Sequence, residues 1–203
     1  MSNNTPPYES HFPGDLKRIV VIGSSGSGKT TLARAISQTL GVPHVELDAI
    51  RHGPNWTEMP DDMFREKISE AIQGDRWVVD GNYSVARDVL WPRATTLIYL
   101  DYSISVVMRR LIFRTVRRSI TREELWNGNK ENIVDNLKIF SNESVIGYSF
   151  KNHWRRRRVF TRLFQHPDYA HIQKIRFHTP KSAEEWVDGL AFQAVQYRGL
   201  SQD

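Results

Sequence analysis

The chain has 203 residues, 28 of them Lys or Arg and 23 Asp or Glu, for a formal net charge of +5. That length suits about one domain with its own core, and 39% hydrophobic with 25% charged residues exclude a disordered or fibrous chain. Cysteine is absent, which excludes disulfides, thiolate metal sites and Cys nucleophiles. No secretory-type apolar stretch opens the sequence, and no run approaches the ~20 apolar residues that span a bilayer. The expectation is a cytoplasmic protein without a membrane partner.

In chain order, residues 1–15 read as a flexible tail interrupted by Pro6, Pro7 and Pro13. Ile19-Val20-Val21-Ile22 is a buried-strand run. Leu32, Ile36 and Leu40 then recur at helical spacing over 29–40, stopped by Gly41 and Pro43. Pro43 to Leu47 reads as a second strand and Asp61 to Ile72 as an amphipathic helix. Trp77 to Val79 is a third strand ending at Asp80-Gly81, and Thr95 to Leu100 a fourth ending at Asp101. Residues 103–118 are helical, with further helices expected near 130–140 and 152–165. Ile172 to Phe177 is a fifth strand, and Ser182 starts a last helix with Glu185 three residues on, a capping-box pattern. The domain is expected over 16–195, with a second tail at 196–203. Strands alternating with helices imply a parallel sheet covered on both faces, whose ligands bind at the carboxyl ends of the strands.

The segment that carries most chemistry is Gly23-Ser24-Ser25-Gly26-Ser27-Gly28-Lys29-Thr30, followed by Thr31. It fits G-x-x-x-x-G-K-[ST] between a strand and a helix. Its glycines let the backbone wrap phosphate, and successive N–H groups and the helix N-terminus attract the anion. Lys29 would reach the β- and γ-phosphates of ATP, and Thr30 would offer its hydroxyl to Mg²⁺. Asp80, ending the third strand, either holds Mg²⁺ or caps a turn. Asp48, at the end of the second, either accepts a hydrogen bond from an acceptor and serves as its base, or caps the turn at Ala49-Ile50.

Charge is distributed unevenly. Residues 109–162 hold 14 basic and 5 acidic residues, whereas the remainder holds 14 and 18. A polyanionic partner is expected there: nucleotide phosphates, nucleic acid or an acidic surface. Arg110, Arg114 and Arg117 form one helical stripe with Arg118 beside it, and no acid stands between Asp101 and Glu123 to pair with it. Guanidinium forks on one face suit phosphate. Arg155 to Arg158 point all round a helix, so they cannot form one pocket and are expected to stay clear of ATP. The histidines are scattered, which argues against zinc.

With these residues the chain resembles the small P-loop kinases of the adenylate kinase and shikimate kinase type, and most of all the adenylate kinase-related branch labelled topology modulation proteins. The resemblance runs from about Lys17 to Trp186. It rests on the phosphate loop, LDAIRHGPNW (47–56), VVDGNY (78–83) and RLIFR (110–114). It implies a P-loop three-layer α/β/α fold with a five-stranded parallel sheet of order 2-3-1-4-5. Asp80-Gly81 would lie at the Walker B strand end. A short helical Arg-rich lid would occupy about 115–130, opened by Arg110 and Arg114, with Arg117, Arg118 and Arg122 within it. The chain departs from adenylate kinases after Asp-Gly. Asn82-Tyr83-Ser84 stands where those proteins have Phe-Pro-Arg, the next arginine is Arg87, and Trp126-Asn127-Gly128-Asn129 replaces the familiar lid motif.

The leading expectation is an ATP- and Mg²⁺-dependent kinase of a small acceptor of nucleoside or nucleotide kind. Lys29, Asp48 and Arg114 would be catalytic, and Arg110 and Arg118 would join the phosphate site. A phosphate acceptor would need no base, and Arg51 or Arg87 would then become the important group. The alternatives are a nucleic-acid-associated ATPase that uses segment 109–162, and a regulatory nucleotide-binding protein that switches without turnover.

Overall fold

The run Ile19 to Ile22 becomes the middle of β1 (Arg18–Gly23) in the computed structural model, which describes residues 16–121, 124–129 and 145–200. All four side chains are buried, as a strand covered on both faces requires. Around it lie β2 (His44–Glu46), β3 (Trp77–Asp80), β4 (Thr96–Leu100) and β5 (Gln173–Phe177). All four pairings are parallel, in the order β2-β3-β1-β4-β5. The expected sheet is therefore the observed one, with Val20 in register between Val79 and Leu97.

Alternation along β1 divides the core. Val20, Ile22 and Val79 pack with Phe64 and Ile68 of α3 (Asp61–Ala71) and with Phe160 of α6 (Val145–Phe164). Ile19, Val21 and Val78 pack with Leu32, Ala33 and Ile36 of α1 (Lys29–Leu40), and with Trp186 and Leu190 of α7 (Pro180–Leu200). Each fully buried Val, Leu, Ile or Phe among them contributes about 1.5–3 kcal/mol. The two short helices α2 (Leu47–Arg51) and α4 (Arg87–Leu90) and the long α5 (Ile104–Thr121) complete the described α-helices.

Four boundaries differ from expectation, and for two of them the reason is local. β2 stops at Glu46 and the chain turns at once into α2, so Asp48 lies in the first turn of a helix and not at a strand end. The turn is driven by Leu47, which is buried against Gly81. The last helix starts at Pro180, not Ser182. Thr179 Oγ1 accepts a hydrogen bond from the Ser182 backbone at 3.2 Å, and proline fits the first helical position. That helix continues to Leu200, so residues 196–200 of the expected tail are helical. The helix expected over 152–165 begins at Val145. The helix expected near 130–140, Arg122 and the tail at 1–15 lie outside the described residues.

Asp101, just past β4, ties three elements together. Its buried carboxylate accepts from Arg157 Nε of α6 at 2.7 Å, from Arg176 of β5 at 2.5 Å, and from the Tyr99 hydroxyl at 3.1 Å. Burial pushes this carboxyl up, but the hydrogen bonds and charges of Arg157 and Arg176 outweigh burial and hold it below the usual carboxylate range.

Candidate active site

The loop between β1 and α1 folds as its glycines require. Gly26 and Gly28 take φ of +80° and +92°, and Gly28 is the N-cap of α1, a backbone region that side chains disfavour. The Lys29 ammonium reaches back to the Ser24 carbonyl at 3.4 Å. Burial pushes the ammonium below the usual lysine range; Asp48 and Asp80 oppose the shift, and the Arg114 and Arg156 charges add to it. Four groups from four elements therefore act on one lysine.

Thr30 Oγ1 donates to Asp80 Oδ2 at 2.7 Å and stands 3.3 Å from Glu46 Oε1. Asp80 is buried, and its other oxygen meets His44 Nε2 at 2.7 Å. A hydroxyl beside a carboxylate, both hard oxygen donors, suits Mg²⁺, which takes few protein ligands and completes its shell with phosphate and water. Among the described residues no cluster of three or more His, Asp or Glu forms a self-sufficient metal cage. The donor set thus fits a cation held jointly with a nucleotide.

Gly81 has φ +145°, and a Cβ there would lie 2.7 Å from Leu47 Cβ. Its lack of a side chain lets α2 close onto the end of β3. Asn82 follows and brackets Gly23: its Oδ1 accepts from the Gly23 N–H at 3.2 Å, and its Nδ2 donates to the Gly23 carbonyl. The Tyr83 hydroxyl donates to Asp48 Oδ1 at 2.7 Å and stands 3.2 Å from His52 Nε2. Burial, and then the neighbouring Asp48 charge, push this phenol up, so it stays a donor.

These groups open into one cleft of about 1530 Å³. The structure brings together in its walls the loop from Ser25 through Thr31, with Asp48, Gly81, Arg110, Arg114 and Arg118. Gly23, Ser24 and Asp80 stand just behind it, through the bonds to Asn82, Lys29 and Thr30. Arg110 donates to the Ser27 carbonyl at 3.2 Å. The stripe on α5 is 110, 114 and 118; Arg117 is exposed outside the cleft.

Arg51 and Arg87 do not line the cleft. Arg51 pairs with Asp61 at 2.7 Å and Glu58 at 3.0 Å over the Phe64 ring. The Arg87 guanidinium stacks on Trp91 at 5.2 Å. The four arginines of α6 diverge as their spacing demands, but one of them reaches the nucleotide end. Arg156 lines the same cleft as the phosphate loop and its charge acts on Lys29, whereas the sequence suggests that none of the four stands there. Arg157 is taken by Asp101, and Arg155 and Arg158 are exposed.

Sequence reasoning missed the far wall. Two turns meet there, Pro54–Trp56 and Trp126–Gly128, each with an asparagine in left-handed backbone, at φ +55° for Asn55 and +57° for Asn127. Asn129 is buried between them. It accepts from the Trp56 N–H at 2.9 Å and donates to the Gly53 and Trp126 carbonyls at 2.8 Å. Asn127 donates to the His52 carbonyl at 2.6 Å. The Trp56 and Trp126 rings lie 6.3 Å apart, nearly perpendicular, with His52 stacked on Trp126 at 6.2 Å. The repeated Asn-Trp and Trp-Asn pairs were the available signal, but pairing across about seventy residues is not written in either one.

The model of the ATPase family associated with various cellular activities (AAA) matches residues 19–79, from β1 to β3. The chain is 32% identical over 73 residues to a cytidylate kinase of Nitratidesulfovibrio vulgaris (strain DP4), a match covering 33% of this chain and 32% of that protein. It is 32% identical over 70 residues to the cytidylate kinase of the Hildenborough strain. The chain thus spans about a third of the length of the curated relatives it matches. Among solved structures, a gluconokinase from Sinorhizobium meliloti 1021 superimposes with a TM-score of 0.49 at 21% identity, over 92% of this chain and 98% of that one. A shikimate kinase from Bacteroides thetaiotaomicron gives 0.49 at 18% identity, over 86% and 96%. The strand order, with a G-x-x-x-x-G-K-T loop joining the central strand to its helix, makes this an α/β domain of P-loop architecture.

Proposed function

We propose that the protein is a phosphotransferase that moves the γ-phosphoryl group of ATP to a small acceptor of nucleoside or nucleotide kind. The observation that carries this reading is the convergence, in one cleft, of the phosphate loop, the stripe Arg110, Arg114 and Arg118, and a second carboxylate, Asp48, hydrogen-bonded to Tyr83. The resemblance to the topology modulation branch adds support, since LDAIRHGPNW and VVDGNY supply Asp48, Trp56, Asn82 and Tyr83 to that cleft.

In this reading the loop N–H groups and Lys29 hold the β- and γ-phosphates. Thr30 and Asp80 would hold Mg²⁺, which when bound neutralises phosphate charge. Arg114 and Arg156 act on charge that develops on the transferred group, and such preorganised donors are the largest contribution to reactions of this type. Asp48 orients the acceptor. ADP formation from Mg-ATP, measured with and without a panel of nucleosides, nucleotides and hydroxy metabolites, tests the proposal. An acceptor-dependent rate lost in Lys29→Ala supports it. ADP formation stimulated by DNA and by no small acceptor overturns it in favour of the nucleic-acid-associated ATPase.

A further inference from the structure

The phosphoryl-transfer reading leaves open which atom receives the group, and the far wall of the cleft bears on that. Its residues come from 46–83 and 124–126. The side chains there that offer recognition are Asp48, His52, Trp56, Tyr83 and Trp126, while Glu46 faces Thr30 at 3.3 Å and Glu124 is exposed at the edge. None of the cationic side chains belonging to these segments lines the cleft. Arg51 is held by Glu58 and Asp61, Arg65 by Asp88 at 2.7 Å and Lys67 by Glu70 at 3.0 Å, and beyond the segment Arg87 lies on Trp91. The arginines that do enter the cleft arise from α1, α5 and α6.

Resting on that reading, we infer that the acceptor is an uncharged alcohol with a planar ring, of the nucleoside class, and not a nucleoside monophosphate. A phosphate dianion brought to this wall would meet Asp48, and like charges at contact distance repel. An alcohol has the opposite need. Asp48 Oδ1 is fixed by Tyr83, while Oδ2 makes no hydrogen bond among the described residues. An acceptor hydroxyl donates to Oδ2 and passes it the proton. The hydroxyl oxygen uses a lone pair to bond the γ-phosphorus. The bond from that phosphorus to the bridging oxygen breaks, its electron pair stays on the β-phosphate, and ADP leaves. Asp48 then returns the proton to solvent.

The ring is read from the indoles. Trp56 is 40% exposed and Trp126 partly so, both on the cleft wall, and neither packs into the core. Their perpendicular arrangement gives a face and an edge to the same space, and flat π-systems bind such surfaces. The wall is composite. Asn129 and Asn127 lock the turn that carries Trp126 onto the turn that carries Trp56, so recognition requires both loops in contact.

The full chain with Mg-ATP is offered adenosine, cytidine, guanosine and thymidine, and in parallel their 5′-monophosphates; ADP is measured and products are read by ³¹P NMR. The nucleosides should yield a phosphomonoester and raise ADP formation at least tenfold more than the monophosphates. Trp126→Ala should raise the nucleoside KM about tenfold, the usual scale for a lost stacking ring, with the ATP KM unchanged. Trp126→Phe, which keeps a ring, should restore most of it. ATP binding is followed separately by equilibrium dialysis. Preference for the monophosphates, or no response to either class, with ATP binding intact, overturns the acceptor assignment and leaves phosphoryl transfer standing. Failure to bind ATP removes the reading on which the inference rests, and the inference with it.

Discussion

Thr30 and Asp80 are joined by a 2.7 Å hydrogen bond that closes the head of the phosphate loop onto the end of β3. Fifty residues separate them in sequence, yet β1 and β3 are neighbours in the sheet, with Val21 in register with Asp80. The hydroxyl and the carboxylate are therefore brought together by neighbouring strands of the sheet and need no loop rearrangement to meet.

Removing the ammonium should abolish nucleotide handling. Lys29→Ala is expected to lose most affinity for ATP or most turnover, while the fold survives because Lys29 belongs to neither apolar cluster. Circular dichroism with ATP binding by dialysis checks it. A folded variant with wild-type binding and turnover would contradict the phosphate-loop reading.

Asp80 and Asp48 should separate by role. Asp80→Asn is expected to raise the Mg²⁺ concentration needed for half-maximal turnover, since an amide is a poorer ligand for a hard cation. Asp48→Asn should lower kcat by about 10²–10⁴, the usual contribution of a positioned base, with ATP and Mg²⁺ binding nearly intact. Magnesium titrations of both variants decide it, and equal loss of nucleotide binding in both would sink the assignment.

The arginines should fall into three groups. Arg114→Ala is expected to cost about 10³ in turnover, the scale for an arginine acting on a phosphoryl transition state. Arg156→Gln should also lower turnover, because its charge acts on Lys29. Arg155→Gln with Arg158→Gln should leave turnover within a few-fold, because both side chains are exposed and outside the cleft. If the Arg155/Arg158 pair matters and Arg114 does not, the transfer centre has been assigned to the wrong wall.

Asp101 should govern acid stability. Its carboxyl is held below the usual value of 3.8. The stabilisation is therefore present above the unfolded value and is lost as pH falls through the lower folded one. Asp101→Asn should flatten that acid limb and cost about 3 kcal/mol, the lower end for a broken buried pair, because Arg157 is still 45% exposed. Urea melts between pH 2 and 7 measure both, and an unchanged acid limb would refute the assignment.

Features encoded within a few residues can be read from the amino-acid sequence alone. The β-branched run 19–22, the helical period over 29–40 and the glycine pattern of the phosphate loop fixed the central strand, its helix and the nucleotide end of the site, because strand burial and left-handed glycines are local requirements. Asp80, Arg110 and Arg114 were legible too, through a strand end and one helical stripe, and Asp48 was picked out although it stands in the first turn of a helix just past β2. Only the tertiary structure decided which of the other charged and aromatic groups turn inward. Arg156 and Arg157 are adjacent on one helix, and 100° of rotation sends the first into the cleft and the second to Asp101. Arg51 looks available in sequence until α3 brings Asp61 beside it. The Trp56–Trp126 wall exists only because Asn129 bridges two turns far apart in the chain, and no local propensity specifies a contact of that span.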